Sequence, residues 1–253
     1  MKIGIFDSGI GGITVLKEAL TQLPEAEYIY YSDNLHVPYG TKPKEEVFGY
    51  VEDVVRFLIK EEVDAIVIAC NTATSVAVNE LRRRYDLPII GMEPAVKLAL
   101  DTCKTGKILA TATPLALKEE KFKSLVSHID EEHRVVPLAL PELVLYAENK
   151  NFDEAELSQY FTEKFKAYDL SMFSGIVLGC THFVYFRKIL RKLLPEDIQI
   201  FDGNEGTVRH LKECVMEQGN VEETLLQEGK VTFYYSGEKC TDSILLNSFL
   251  KLV

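Results

Sequence analysis

Two short segments of this chain place a thiol where it could do chemistry. Ala69-Cys70-Asn71-Thr72 and Gly179-Cys180-Thr181-His182 each close an apolar, strand-like run, with polar residues able to cap a helix directly after the cysteine. A thiol so placed sits at a helix N-terminus, where the dipole favours thiolate over thiol. One such cysteine is more often an inert small hydrophobe, but two at matching points exceed what packing requires. His182, two positions after Cys180, can tune that thiol or relay its proton. A third segment, Asp7-Ser8-Gly9-Ile10-Gly11-Gly12, leads a glycine-rich turn with a carboxylate and a hydroxyl. Backbone N–H groups in such a turn suit a carboxylate as well as a phosphate. A dinucleotide fingerprint would need glycine where Thr14 stands, and Gly40-Thr41-Lys42 lacks the upstream glycine of a phosphate loop. A Cys180–His182 nucleophile for acyl transfer would leave Cys70 without a role. Two thiols and one histidine fall short of a four-ligand zinc site.

The elements that must position these groups alternate. Lys2–Phe6, Tyr28–Tyr31, Asp64–Ala69 and Pro88–Gly91 read as strands, and Val47, Val51, Val54, Val55 and Leu58 recur at helical spacing, as do Ile13, Leu16 and Leu20. The pattern restarts with strands at Lys107–Ala112, Val135–Leu138, Gly175–Gly179 and Ile198–Phe201, and with helices at Leu115–Ile129, Asp153–Tyr168 and Phe183–Leu194. A further strand, Val231–Tyr235, and a short helical tail complete the chain. This predicts an α/β protein of two similar halves, each a parallel sheet covered by helices and each presenting a cysteine at the carboxyl end of a strand. If the halves face each other, the thiols meet across one cleft.

Composition narrows the class. The 253 residues are 47% apolar and 26% charged, as in globular proteins, and the net charge is −11. So acidic a surface argues against nucleic acid or anionic membrane as the main partner. No apolar run approaches the about 18 residues of a membrane span. Asp7 interrupts any signal-peptide core, so the expected location is cytoplasmic. The five cysteines, without a CxxC, read as free thiols. Glu61-Glu62 and Glu119-Glu120 read as solvated helix faces.

The motifs Asp7-Ser8-Gly9-x-Gly11-Gly12, Val37-Pro38-Tyr39-Gly40, Ala69-Cys70-Asn71-Thr72-Ala73, Gly91-Met92-Glu93-Pro94 and Leu178-Gly179-Cys180-Thr181-His182 run in order across nearly the whole chain. Together they resemble the cofactor-independent aspartate/glutamate racemase superfamily, and within it the glutamate racemases. The resemblance implies interconversion of L- and D-glutamate, supplying D-glutamate for peptidoglycan, with no cofactor and no metal. It makes Cys70 the base acting on the D enantiomer and Cys180 the base acting on the L enantiomer. Asp7 then supports the first thiol and His182 the second. The family also carries a glutamate near the second cysteine. Glu148 matches it, with Glu142 competing, because Leu140 and Leu145 replace the usual cysteine and second proline around it. Phe183-Val184-Tyr185-Phe186 departs from the common Tyr-Pro-Leu, which bears on the local helix entry. The implied fold is two α/β domains related by a pseudo-twofold, residues 1–93 with 205–253 and residues 94–204. A homodimer is expected.

Two bases on opposite faces of the α-carbon solve the stereochemical problem without an electron sink. An ordinary thiol, with a pKa of about 8.5, is only a few per cent thiolate near neutrality. Asp7 and Glu148 are expected to help by accepting protons, since a neighbouring carboxylate raises a thiol pKa. The hydroxyls of Ser8, Thr72, Thr113 and Thr181 are candidates for the substrate carboxylates, and Asp7 or Asn71 for the amino group. The family match adds Tyr39 and Gly40, and His182 lines the same site. Rival readings are an aspartate racemase with the same chemistry and a non-catalytic binding protein for an acidic metabolite.

Overall fold

Runs such as Ile3-Gly4-Ile5-Phe6, apolar at every position, need cover on both faces, and parallel sheets flanked by helices provide it. The computed structural model describes residues 1–217 and 231–240. Its strands are β1 (Lys2–Asp7), β2 (Glu27–Ser32), β3 (Ala65–Ile68), β4 (Ile89–Gly91), β5 (Lys107–Ala112), β6 (Val135–Ala139), β7 (Phe173–Leu178), β8 (Gln199–Phe201), β9 (Val231–Tyr235) and β10 (Glu238–Cys240). They form two sheets, in the orders β10-β9-β2-β1-β3-β4 and β6-β5-β7-β8. Every pairing is parallel except β9 with β10.

The order β2-β1-β3-β4 reappears as β6-β5-β7-β8, so the repeat is one of topology. It extends to single hydrogen bonds. Ala69 N–H donates to Phe6 O at 2.7 Å just before Cys70, and Gly179 N–H donates to Thr111 O at 2.7 Å just before Cys180. Each thiol therefore leaves its sheet at the same point.

The helices are α1 (Ile13–Gln22), α2 (Lys44–Lys60), α3 (Asn71–Arg84), α4 (Ala95–Thr102), α5 (Pro114–Lys118), α6 (Glu120–Ile129), α7 (Glu142–Glu148), α8 (Glu154–Phe165), α9 (Arg187–Leu193) and α10 (Asn204–Glu217). Three departures from the sequence-based expectation matter. The helix expected over Leu115–Ile129 breaks at Glu119, whose backbone is extended (φ −65°, ψ 141°). Its buried carboxylate pairs with Lys44 of the first half at 2.5 Å, a tertiary contact that local periodicity does not encode. The helix expected over Phe183–Leu194 begins as a 3-10 segment, Thr181–Phe186, with every residue buried. Helix α7 was not anticipated; Leu143, Val144 and Ala147 form its buried stripe. The helical tail lies outside the described residues.

The chain passes between the halves at Glu93-Pro94 and again at Gly203-Asn204, and the two passages touch. Glu93 N–H donates to Thr207 Oγ1 at 2.8 Å, and that hydroxyl donates to Gly203 O at 2.7 Å. One apolar cluster joins Ile3, Ile5 and Tyr28 of the first half to Leu143, Phe161 and Phe186 of the second.

Candidate active site

Strand β1 ends in Asp7, fully buried, and the chain must turn at once into α1. Asp7 Oδ1 accepts Gly9 N–H at 2.8 Å and its Oδ2 accepts the Thr181 hydroxyl, from the other half, at 3.1 Å. Burial pushes the Asp7 carboxyl up to about 6, although His182 and the Gly9 N–H pull the other way. The glycines are required by what packs against the turn. A Cβ on Gly11 would lie 2.5 Å from both His182 Nδ1 and Thr181 Oγ1, and one on Gly9 would overlap the Glu148 carboxylate. The N–H groups of Gly9 and Ile10 are thus committed to Asp7 and Glu148.

Cys70 stands two residues beyond β3 as the N-cap of α3, its sulfur accepting Ala73 N–H at 3.5 Å. It also lies 3.8 Å from Ser8 Oγ. The residue is 6% exposed. Burial, with the Asp7 charge, pushes its thiol well above the usual range; Ala73 N–H and Ser8 oppose this and are outweighed. The helix-terminus effect expected from sequence is therefore present, but desolvation exceeds it.

Cys180 stands two residues beyond β7 at the N-cap position of the 3-10 segment, where its side chain makes no capping hydrogen bond; it is 7% exposed. Its sulfur is 3.7 Å from His182 Nδ1, and His182 Nε2 is 2.5 Å from Glu148 Oε1. The same Glu148 oxygen accepts Ile10 N–H at 2.8 Å. Burial alone would lower the His182 pKa. The sulfur and the carboxylate, one at each ring nitrogen, hold it well above its ordinary value instead. The Cys180 charge is also among the influences that raise Cys70, so each thiol lies in the other's field.

Thr72 and Thr113, from different halves, share a hydrogen bond of 2.8 Å, and Thr113 caps α5 through Ala116 N–H at 3.3 Å. Gly40 packs directly on Thr113. Asn71 is half-buried at the start of α3. Tyr39 is brought near, but its hydroxyl is held by Asp33 Oδ2 at 2.6 Å. Glu142 is not brought in. It sits exposed at the other end of α7, accepting Tyr160 OH at 2.9 Å and Lys164 Nζ at 3.1 Å. Of the two carboxylates left open by the sequence, the geometry gathers Glu148. A cavity of about 1070 Å³ opens elsewhere, beside Glu93, Pro94 and Asn204, and neither thiol, Asp7, His182 nor Glu148 lines it.

The family described as Asp/Glu/Hydantoin racemase matches residues 12–211. The glutamate racemase of Halothermothrix orenii is 49% identical over 253 residues, covering 100% of this chain and 99% of that protein. The chain belongs to the glutamate racemase family. Among solved structures, the family's Campylobacter jejuni member superimposes with a TM-score of 0.84 at 28% identity, covering 100% of this chain and 97% of that one. The Escherichia coli member, in complex with L-glutamate and the activator UDP-MurNAc-Ala, gives 0.77 at 27% identity, over 92% of this chain and 88% of that one.

Three further residues that the sequence does not single out hold these loops in place. Asp33 holds Tyr39. Tyr30 OH donates to Gly9 O at 2.7 Å, and Tyr185 OH donates to Ile10 O at 2.9 Å. Both tyrosines read as core aromatics, and nothing in residue type or spacing separates them from Tyr28, whose hydroxyl only ties α1 to its own exit.

Proposed function

We propose that this chain interconverts L- and D-glutamate with Cys180 and Cys70 as the two bases. The observation that carries the reading is the pair of buried thiols at equivalent strand ends of two facing, topologically identical halves. In the L-to-D direction Cys180, as thiolate, takes the α-proton, and Cys70, as thiol, returns one to the opposite face. One S–H bond forms and one breaks, so the thiols end with roles exchanged, and solvent exchange or the reverse reaction resets them. The burial that favours the Cys70 thiol supports its part as the proton donor in the L-to-D direction. Ser8, Thr72, Thr113 and Thr181 are proposed to take the substrate carboxylates, Asp7 or Asn71 the amino group, and Tyr39-Gly40 to close the mouth.

The full-length identity to curated glutamate racemases, 49% for that of Halothermothrix orenii, supports glutamate over aspartate. Residues 1–93 with 205–253 and 94–204 are proposed as the two domains, supported by the separate sheets and the paired crossings. Among the described residues no helix is long and apolar enough to cross a membrane. A reducing, cytoplasmic setting, where D-glutamate would feed peptidoglycan synthesis, belongs to the same proposal and suits a chemistry carried by the thiols of Cys70 and Cys180. A homodimer is part of the same proposal.

The test uses L-glutamate and L-aspartate side by side, followed by optical rotation, and then L-glutamate in D₂O stopped at low conversion. The expected result is inversion of glutamate, with solvent deuterium in the new D-glutamate and protium retained in the remaining L-glutamate. Cys70→Ala and Cys180→Ala should each abolish inversion, while Cys103→Ala retains it, since that sulfur is engaged with Ser174 O away from the site. Early D-glutamate carrying the original proton, or an active Cys70→Ala variant, would overturn the two-base reading.

A further inference from the structure

We propose that Tyr30 and Tyr185 are positioning residues for the Cys180 half of the reaction. Their hydroxyls fix two consecutive carbonyls of the Asp7–Gly12 turn so that Ile10 N–H points at Glu148, which holds His182 against Cys180. The inference rests on the two-thiol reading and deepens it.

The peptide between Gly9 and Ile10 is the centre of the argument. Its N–H donates to Glu148 Oε1 at 2.8 Å, while its carbonyl accepts Tyr30 OH at 2.7 Å. The next carbonyl, Ile10 O, accepts Tyr185 OH at 2.9 Å besides the Ile13 N–H of α1 at 3.1 Å. Glycine's missing Cβ leaves Gly9 more backbone freedom than any other residue would have. A flip of this peptide would turn a carbonyl oxygen toward the Glu148 carboxylate and remove its donor. The Tyr30 hydroxyl opposes that flip. By polarising the amide it also strengthens the N–H donated from the other end of the same peptide.

The two clamps come from opposite halves. Tyr30 is on β2, whereas Tyr185 lies three residues after His182 in the buried 3-10 segment. One segment therefore supplies the thiol, the imidazole and a hold on the facing turn. The rings are seated independently of their hydroxyls: Tyr30 stacks on Phe233 with centroids 5.0 Å apart, and Tyr185 lies against Phe152 at 6.0 Å. Burial, with the nearby Asp7 and Glu148 charges, pushes both phenols well above their usual range, so both remain donors throughout.

Tyr30→Phe and Tyr185→Phe remove the hydroxyls and keep the rings. Tyr28→Phe is the control, because that buried hydroxyl donates only to Ala19 O and Leu23 O, away from the turn. The decisive readout is the primary isotope effect on kcat/KM with [2-²H]L-glutamate and [2-²H]D-glutamate, which does not depend on how much of a variant is folded. Both site variants should lose about tenfold in kcat/KM. Their isotope effect should rise with the L substrate and fall with the D substrate, because the transfer at Cys180 has become the slower one. Tyr28→Phe should leave both isotope effects unchanged. Symmetric or unchanged isotope effects in the two site variants would overturn the clamp while leaving the racemase standing. A wild-type chain that fails to invert glutamate would instead overturn the reading beneath it.

Discussion

A carboxylate without water is an expensive group, and Asp7 is fully buried. Its native carboxyl keeps the proton up to about pH 6, against 3.8 for the ordinary group. Between these values the folded chain binds more protons than the unfolded one. The contribution of Asp7 is therefore fully present below pH 3.8 and lost as pH rises through 6. An Asp7→Asn variant lacks this dependence. Its stability relative to wild type should improve by about 2 kcal/mol between about pH 4.5 and 7.5, in urea titrations at both pH values. A pH-independent difference would mean that Asp7 is not protonated near 6. Racemisation should fall in the same variant, since Asn accepts no proton. Tolerating a destabilised buried acid beside Cys70 makes sense only if the chemistry needs it.

At the scale of single elements, the glycine-rich turn and α7 do the positioning. The turn resembles a phosphate loop in sequence, yet its Gly9 and Ile10 N–H groups are occupied by Asp7 and Glu148, and its glycines make room for His182 and Thr181. Gly11→Ala should therefore damage catalysis more than folding. We expect a loss of about 1–3 kcal/mol from overpacking and a fall in kcat of about 10²-fold as His182 is displaced. Full activity in that variant would show that the His182 placement is not critical. Helix α7 makes the complementary point. Its two ends carry Glu142 and Glu148, a little under two turns apart, and only the latter reaches Ile10 and His182. Glu148→Gln should slow L-to-D turnover in kcat more than D-to-L, whereas Glu142→Gln should cost at most about 1 kcal/mol of stability and leave kcat within about twofold. The reverse ranking in steady-state assays would exchange the two assignments.

Across the whole molecule, the halves are two sheets joined by a shared apolar cluster. That cluster, running from Ile3 and Tyr28 to Phe161 and Phe186, crosses between the halves, beside one cluster inside each, and the Asp7–Thr181, Ile10–Glu148 and Lys44–Glu119 contacts tie the facing surfaces. Thermal unfolding should accordingly be a single transition with matching calorimetric and van't Hoff enthalpies. Two resolved transitions would mean that the halves hold themselves together independently. The same closeness leaves both thiols nearly inaccessible, at 6% and 7% exposure.

The alternation of strands and helices, the repeat and the two thiols were legible in the residues themselves, because they depend on local periodicity and on chemistry that few residue types possess. Cys70, Cys180, Asp7 and His182 could be singled out for that reason. Tertiary structure decided what depends on contacts between distant segments. It brought Glu148 rather than Glu142 to Ile10 and His182, since both lie on one short helix and only packing against the turn distinguishes its ends. It broke the helix at Glu119, where a buried carboxylate meets Lys44, and took Phe183–Phe186 into a tight 3-10 path that delivers Tyr185 to Ile10. It also set the protonation balance at Cys70. A helix N-terminus favours thiolate, but only the folded surroundings determine how much water is lost, and here that loss is the larger effect.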